Sequence, residues 1–129
     1  MPRFSVKSMQ RLSTCDNQLQ HLFYEVIKEA DCTILCGHRT EAEQEAAWKG
    51  GNSQLRWPQS KHNSNPSKAV DVAPWPIDWN DIDRFKRFAV IVQNKAKDLG
   101  IKVEWGGDWV RFKDYPHWQL EETPESIDG

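Results

Sequence analysis

An acid set in the middle of a short alternating strand constrains this chain more than any other feature. In Ala69-Val70-Asp71-Val72-Ala73, a period of two sends Val70 and Val72 to one face and Asp71 to the other, between small alanines. A carboxylate placed there is partly buried and needs a partner to justify its desolvation. The strand must therefore lay one face on a core and hold the other over polar groups.

The partners are found on either side. His62 precedes the strand within a polar stretch, and Asp114-Tyr115-Pro116-His117 follows near the C-terminus. Two imidazoles and one carboxylate make a ligand set suited to a zinc ion that keeps a fourth position open for water. Asp114, three residues before the last histidine, is a spare carboxylate of the kind a hydrolase uses as general base. Cys32, Cys36 and His38 form a second possible ligand set, since alternate strand residues share a face. No fourth ligand lies near them, and small buried thiols are the simpler reading.

Around this set the chain reads as three helices and about four short strands. Ser13-Thr14-Cys15-Asp16 opens a first helix, with Leu19, Leu22, Phe23, Val26 and Ile27 on one face and an end near Ala30-Asp31. Cys32 to Cys36 is a β-prone run. Its two thiols would lie roughly 13 Å apart, too far to bridge. Thr40-Glu41-Ala42-Glu43 is a capping box that starts a second helix, ended by Gly50-Gly51. From Asn52 to Lys68 runs a polar loop whose length points to function. After Pro74 and Pro76, Asn80-Asp81 begins the longest helix, with Ile82, Phe85, Phe88, Ala89, Val92, Ala96 and Leu99 as its stripe and Gly100 as its stop. Ile101 to Trp105 and His117 to Leu120 alternate as strands. On the last, His117 shares a face with Gln119 while Trp118 and Leu120 take the other. Gly106-Gly107-Asp108-Trp109 is a turn, and the tail from Glu121 to Gly129 is acidic without an apolar pattern. The sum is an α+β domain with a small antiparallel sheet, about three helices packed around it, and the zinc site on the sheet.

Composition narrows the function classes. A net charge of -2, from 17 Lys plus Arg against 19 Asp plus Glu, argues against a nucleic-acid partner. No apolar run approaches the ~18 residues of a membrane helix, so no stable membrane association is expected. Met1 to Lys7 lacks the apolar block of a secretory signal. Three cysteines do not make a disulfide framework. Seven tryptophans give a small core large rings. Trp105, Trp109 and Trp118 are read as core before groove. Lys61 and Lys68 flank the ligand loop and would either attract an acidic peptide or form a solvated face.

Ser60-x-His62, Ala69-Val70-Asp71 and Asp114-x-x-His117, with Gly37-His38-Arg39-Thr40 and Gln44 upstream, resemble the zinc-dependent D-alanyl-D-alanine carboxypeptidase and L-alanyl-D-glutamate peptidase family. Its phage members are endolysins that cut the peptide stems of bacterial peptidoglycan. The likeness runs from about Ile34 to Leu120, and Pro116-His117-Trp118-Gln119-Leu120 is similar to the C-terminal signature of the phage branch. It implies that His62, Asp71 and His117 hold one zinc per chain and that Asp114 is the catalytic acid/base. Arg39 resembles the arginine that stabilises charge on the reacting carbonyl oxygen, and Ser60 the serine that helps bind substrate. Gln44 resembles a glutamine that either contacts substrate or supports the residues that do. Two departures stand out. The step from His62 to Asp71 is longer than the family's, with Pro66-Ser67 where a glycine is usual, and the base is an aspartate, as suits the endolysin branch.

The resemblance implies a peptidoglycan peptidase cutting the L-alanyl-D-glutamate bond. The alternatives are a D-alanyl-D-alanine carboxypeptidase with the same chemistry and a catalytically silent zinc-binding or wall-binding module. It further implies a monomer of one catalytic domain over residues 1–129, without a separate wall-binding domain. Such a protein is held in the host cytoplasm until a partner holin opens the membrane.

Overall fold

The computed structural model describes residues 2–121. Four strands, β1 (Cys32–Cys36), β2 (Ala69–Pro74), β3 (Val103–Trp105) and β4 (His117–Leu120), form one sheet in the order β1-β2-β4-β3. Every neighbouring pair is antiparallel. The α-helices are α1 (Val6–Leu12), α2 (Asn17–Val26), α3 (Glu41–Lys49) and α4 (Ile82–Leu99). This is the expected α+β architecture with one helix more than the sequence indicated.

The sheet's two faces do different work. Ile34, Val70, Val72, Trp118 and Leu120 point to one side and join Leu19, Leu22, Phe23 and Val26 of α2 and Phe88, Ala89, Val92 and Ala96 of α4 in a single core. Each fully buried leucine or phenylalanine there contributes about 1.5–3 kcal/mol. The indole of Trp118 stacks on Trp105, ring centroids 5.9 Å apart. The other face carries Asp71 and His117, which are direct partners across β2 and β4.

The additional helix, α1, seals an edge. Ser5 caps it by accepting from the Ser8 amide. The buried Ser8 hydroxyl accepts from the Ile34 amide at 3.0 Å, and the Arg11 guanidinium donates to the Ile34 carbonyl at 3.0 Å. Both exposed backbone groups of Ile34 on the sheet's outer strand are thus paired, which blunts that edge against other chains.

The remaining elements begin and end where their caps stand. Asp16 caps α2, Thr40 and Glu43 form the reciprocal capping box of α3, and Asp81 caps α4, which Gly100 closes. β3 is shorter than expected, because Ile101 leaves the strand to bury itself in the core. The acidic tail expected beyond Glu121 lies outside the described residues.

Candidate metal centre and cleft

His62 reaches the sheet from the long polar loop, and local bonding shows how. Ser60, Lys61, His62 and Asn63 form a tight 3-10 turn in which the Ser60 hydroxyl accepts from the His62 amide and the Asn63 side chain accepts from the Ser60 amide. Farther along, Ser67 exchanges backbone bonds with the turn joining α1 to α2, at 2.8 Å to Asp16 and 2.9 Å to Thr14. The step from His62 to Asp71 is spanned by this turn and anchor, and the histidine ends 1 % exposed.

The three expected ligands converge. His62 Nε2 lies 3.2 Å and His117 Nδ1 3.3 Å from the same Asp71 Oδ1. One donor atom from each residue falls within 4.8 Å of the others, and among the described residues this is the one group of His, Cys, Asp or Glu so arranged. The Cys32, Cys36 and His38 set is therefore not assembled; all three cysteines are free thiols.

The chemistry of the donor set fits a metal ion. His62 Nδ1 faces the Gly37 carbonyl at 2.7 Å. A carbonyl only accepts, so that nitrogen carries a proton, and when the ring is neutral Nε2 is the nitrogen left with a lone pair, on the side of Asp71 and His117. Gly37 is required there. A Cβ would collide with the Arg11 carbonyl and the Thr14 hydroxyl, and the carbonyl under His62 would move with it.

Without an ion, the cluster is held by charge. Burial alone would lower the His62 pKa, but the Asp71 carboxylate outweighs it and raises it to about 9. Burial acts to raise Asp71, yet the two imidazoles win and hold its carboxyl far below the ordinary range. Arg39 adds a bond from Nη2 to Asp71 Oδ2 at 3.2 Å. Binding a cation must displace the His62 proton, because a ligand imidazole is neutral.

Asp114 stands beside the cluster, its Oδ2 3.9 Å from His117 Nδ1. Its backbone is clamped against the Gly106 turn: its amide donates to the Gly106 carbonyl at 3.0 Å. A Cβ on Gly106 would strike the Asp114 carbonyl and crowd the His117 side chain. Burial first, and the Asp71 charge second, push the Asp114 carboxyl above its ordinary value.

Arg39, His62, Asp114 and His117 line a cleft of about 410 Å³, together with residues 52–55 and 59–61 and with Trp109, Arg111 and Phe112. Over residues 1–128 the sequence matches the family described as phage L-alanyl-D-glutamate peptidase. The chain belongs to that family. It is 34% identical over 119 residues to the L-alanyl-D-glutamate peptidase of Escherichia phage T5, covering 88% of this chain and 85% of that protein. The peptidoglycan L-alanyl-D-glutamate endopeptidase CwlK of Bacillus subtilis is 33% identical over 108 residues, covering 72% of this chain and 62% of that one. Among solved structures, the Serratia marcescens L-Ala D-Glu endopeptidase ChiX matches with a TM-score of 0.79 at 29% identity, over 93% of this chain and 91% of that one.

The supporting residues are tied into the cluster by side-chain bonds. Gln44 is fully buried; its Oε1 accepts from Arg39 and from Asn63, and its Nε2 donates to Ser53 and to the Leu55 carbonyl. It holds Arg39 and the ligand turn, one of the two roles the resemblance offered. Ser60 lines the cleft, but its hydroxyl also serves the His62 amide. Of the tryptophans, Trp105 and Trp118 are core, whereas Trp109 forms cleft wall with its ring 5.0 Å from His117. The alternation on β4 already placed Gln119 beside His117, yet its bond to the ring, 2.7 Å from Nε2 to Oε1, was not anticipated.

Proposed function

We propose that this chain hydrolyses the L-alanyl-D-glutamate bond of bacterial peptidoglycan stems, with one zinc ion held by His62, Asp71 and His117. The convergence of their donor atoms at a cleft, with Asp114 adjacent, carries the reading. The names of its relatives supply the bond. Two nitrogens and one oxygen with room for a fourth ligand suit zinc in a catalytic setting.

A zinc ion held by His62, Asp71 and His117 would supply Lewis acidity and lower the pKa of a water beside it to about 7. Asp114 accepts a proton from the attacking water at a carboxylate oxygen. It then delivers that proton to the nitrogen of the leaving D-glutamate. Its raised pKa suits this double task, since a base that must later act as acid works best when its pKa approaches the working pH. Arg39, oriented by Gln44 and seated on Asp71, keeps a fixed positive charge in the cleft where the carbonyl oxygen becomes negative. Trp109 and Phe112 line the wall and limit water around the reacting bond.

A single catalytic domain, a monomeric state and holin-dependent passage from host cytoplasm to wall belong to the same reading. No helix among the described residues is long and apolar enough to cross a membrane.

Digestion of purified sacculi, with and without chelator, tests the proposal through the new termini seen by mass spectrometry. D-glutamate amino termini that vanish with chelator and return with zinc are expected. Released D-alanine would assign a carboxypeptidase instead. Unchanged sacculi from several wall types would leave a binding module.

A further inference from the structure

We propose that Glu104 and Gln119 are positioning residues that set the tautomer of His117, with Trp109 giving the chain of bonds its direction. The proposal rests on the reading of His62, Asp71 and His117 as metal ligands and concerns what keeps the third of them in its binding form.

The sheet register brings the participants to one face. Asp71 is paired with His117, Ala69 with Gln119, and Glu104 with Gln119. Directly opposed residues on antiparallel strands share a face, and the small Ala69 leaves Gln119 room to lie along it.

Bond direction then follows from what each group can do. An indole N–H only donates, and Trp109 Nε1 donates to Glu104 Oε2 at 2.8 Å. An ionised carboxylate only accepts. The same Glu104 oxygen therefore takes a second bond from Gln119 Nε2, at 3.2 Å. An amide has one donor end and one acceptor end, so Gln119 must offer Oε1 to the histidine, 2.7 Å from its Nε2. That acceptor requires the ring proton on Nε2. A neutral imidazole has one N–H, so in that form Nδ1 keeps its lone pair toward the cluster; Asp71 Oδ1, 3.3 Å away, is an acceptor that favours a proton on Nδ1, and the Gln119–Glu104 chain is what opposes it.

The reverse arrangement shows what is prevented. If the Gln119 amide turned over, its NH2 would face His117 Nε2 and the ring proton would move to Nδ1. The nitrogen that faces Asp71 and His62 would then be closed to a metal. Turned over, the amide would also set its oxygen against the Glu104 carboxylate, acceptor to acceptor, at the position now bonded at 3.2 Å. Glu104 thus penalises the wrong tautomer from two residues away. His62 needs no such relay, because a backbone carbonyl faces its Nδ1 and cannot turn over.

The test reads the tautomer directly. Long-range proton–nitrogen correlation spectra of the chelator-treated, nitrogen-15-labelled full chain, at alkaline pH, show which His117 nitrogen bears hydrogen. Competition with a chromophoric chelator gives zinc affinity. Wild type is expected to show Nε2–H. Glu104→Met should populate Nδ1–H and weaken zinc about 10–100-fold. Glu104→Gln should restore both, because Trp109 still draws the amide oxygen at position 104 toward itself and so preserves the direction. Glu104→Met with wild-type tautomer and affinity would overturn the proposal, as would Glu104→Gln as impaired as Glu104→Met. If Glu104→Met does not fold, the double variant Glu104→Gln/Trp109→Phe takes its place. It removes the indole donor and with it the direction, and retention of Nε2–H in it is the overturning result. Wild type that binds no zinc would defeat the metal-centre reading, while the tautomer, measured without metal, would still decide the relay.

Discussion

The two histidines of the cluster are held by opposite means. His62 comes from a loop and is fixed largely through backbone groups: its own tight turn, its amide bonded to the Ser60 hydroxyl, and the Gly37 carbonyl under Nδ1. His117 comes from a strand and is fixed by side chains: Gln119 at its outer nitrogen, Glu104 behind that, Trp109 against its ring. The irregular segment uses the firmer device. A loop has no ladder to hold it, so the ring it carries is secured by a backbone carbonyl that cannot turn over. A strand already places its residue, leaving only ring orientation and tautomer to be set. Substitutions should therefore disturb the His62 side through the fold and the His117 side through chemistry.

The largest expected effect separates chemistry from binding. Asp114→Asn removes the proton carrier but none of the ligands, so turnover should fall by roughly 10²–10⁴ while zinc affinity stays at the wild-type value. Kinetics on sacculi beside a zinc titration check this, and an equal loss of both would mean that Asp114 serves the metal rather than the proton.

Next comes the backbone side. Gly37→Ala forces a collision with Arg11 and Thr14 and should cost about 1–3 kcal/mol in chemical denaturation, with weaker zinc binding because the carbonyl beneath His62 shifts. Gly106→Ala, where a Cβ meets Asp114 and His117, should lower turnover through misplacement of Asp114. If Gly37→Ala left stability and zinc affinity intact, the contrast between the two histidines would fail.

The smallest effect is a pH dependence of the chelated protein. His62 has its pKa raised from 6.5 to about 9 by Asp71, against the opposing effect of burial. Its contribution to stability is full below 6.5 and disappears as pH rises through about 9. Asp71 is shifted down from 3.8, so its contribution is present above 3.8 and lost only as pH falls toward its lowered value. Denaturation midpoints of the metal-free protein should thus be highest between these limits and decline from pH 6.5 to 9. Zinc should remove the alkaline decline, because ligand imidazoles are already neutral. A metal-free protein that gains stability over that range would contradict the ion-pair picture.

Much of this was legible in the sequence for local reasons. The alternation around Asp71, the Thr40–Glu43 capping box and the apolar stripe closed by Gly100 are written in neighbouring residues, and the structure reproduces each. The ligand set was readable from residue types, and the resemblance assigned its members their roles. What escaped depends on register or distance. Helix α1 turns a serine and an arginine to the sheet edge, so it shows no apolar period. Gln44 looks like a surface polar residue until the loop from 52 to 63 folds over it. Glu104 meets Gln119 only once β3 and β4 are paired, and nothing local distinguishes Trp109 in the cleft from Trp105 in the core.

The most direct test is a crystal structure of the zinc-loaded protein with data on both sides of the zinc absorption edge. One anomalous peak is predicted about 2.0–2.2 Å from His62 Nε2, His117 Nδ1 and an Asp71 carboxylate oxygen, with Asp114 outside the coordination sphere. Zinc bound through His117 Nε2, or at the Cys32, Cys36 and His38 positions instead, would contradict the site described here.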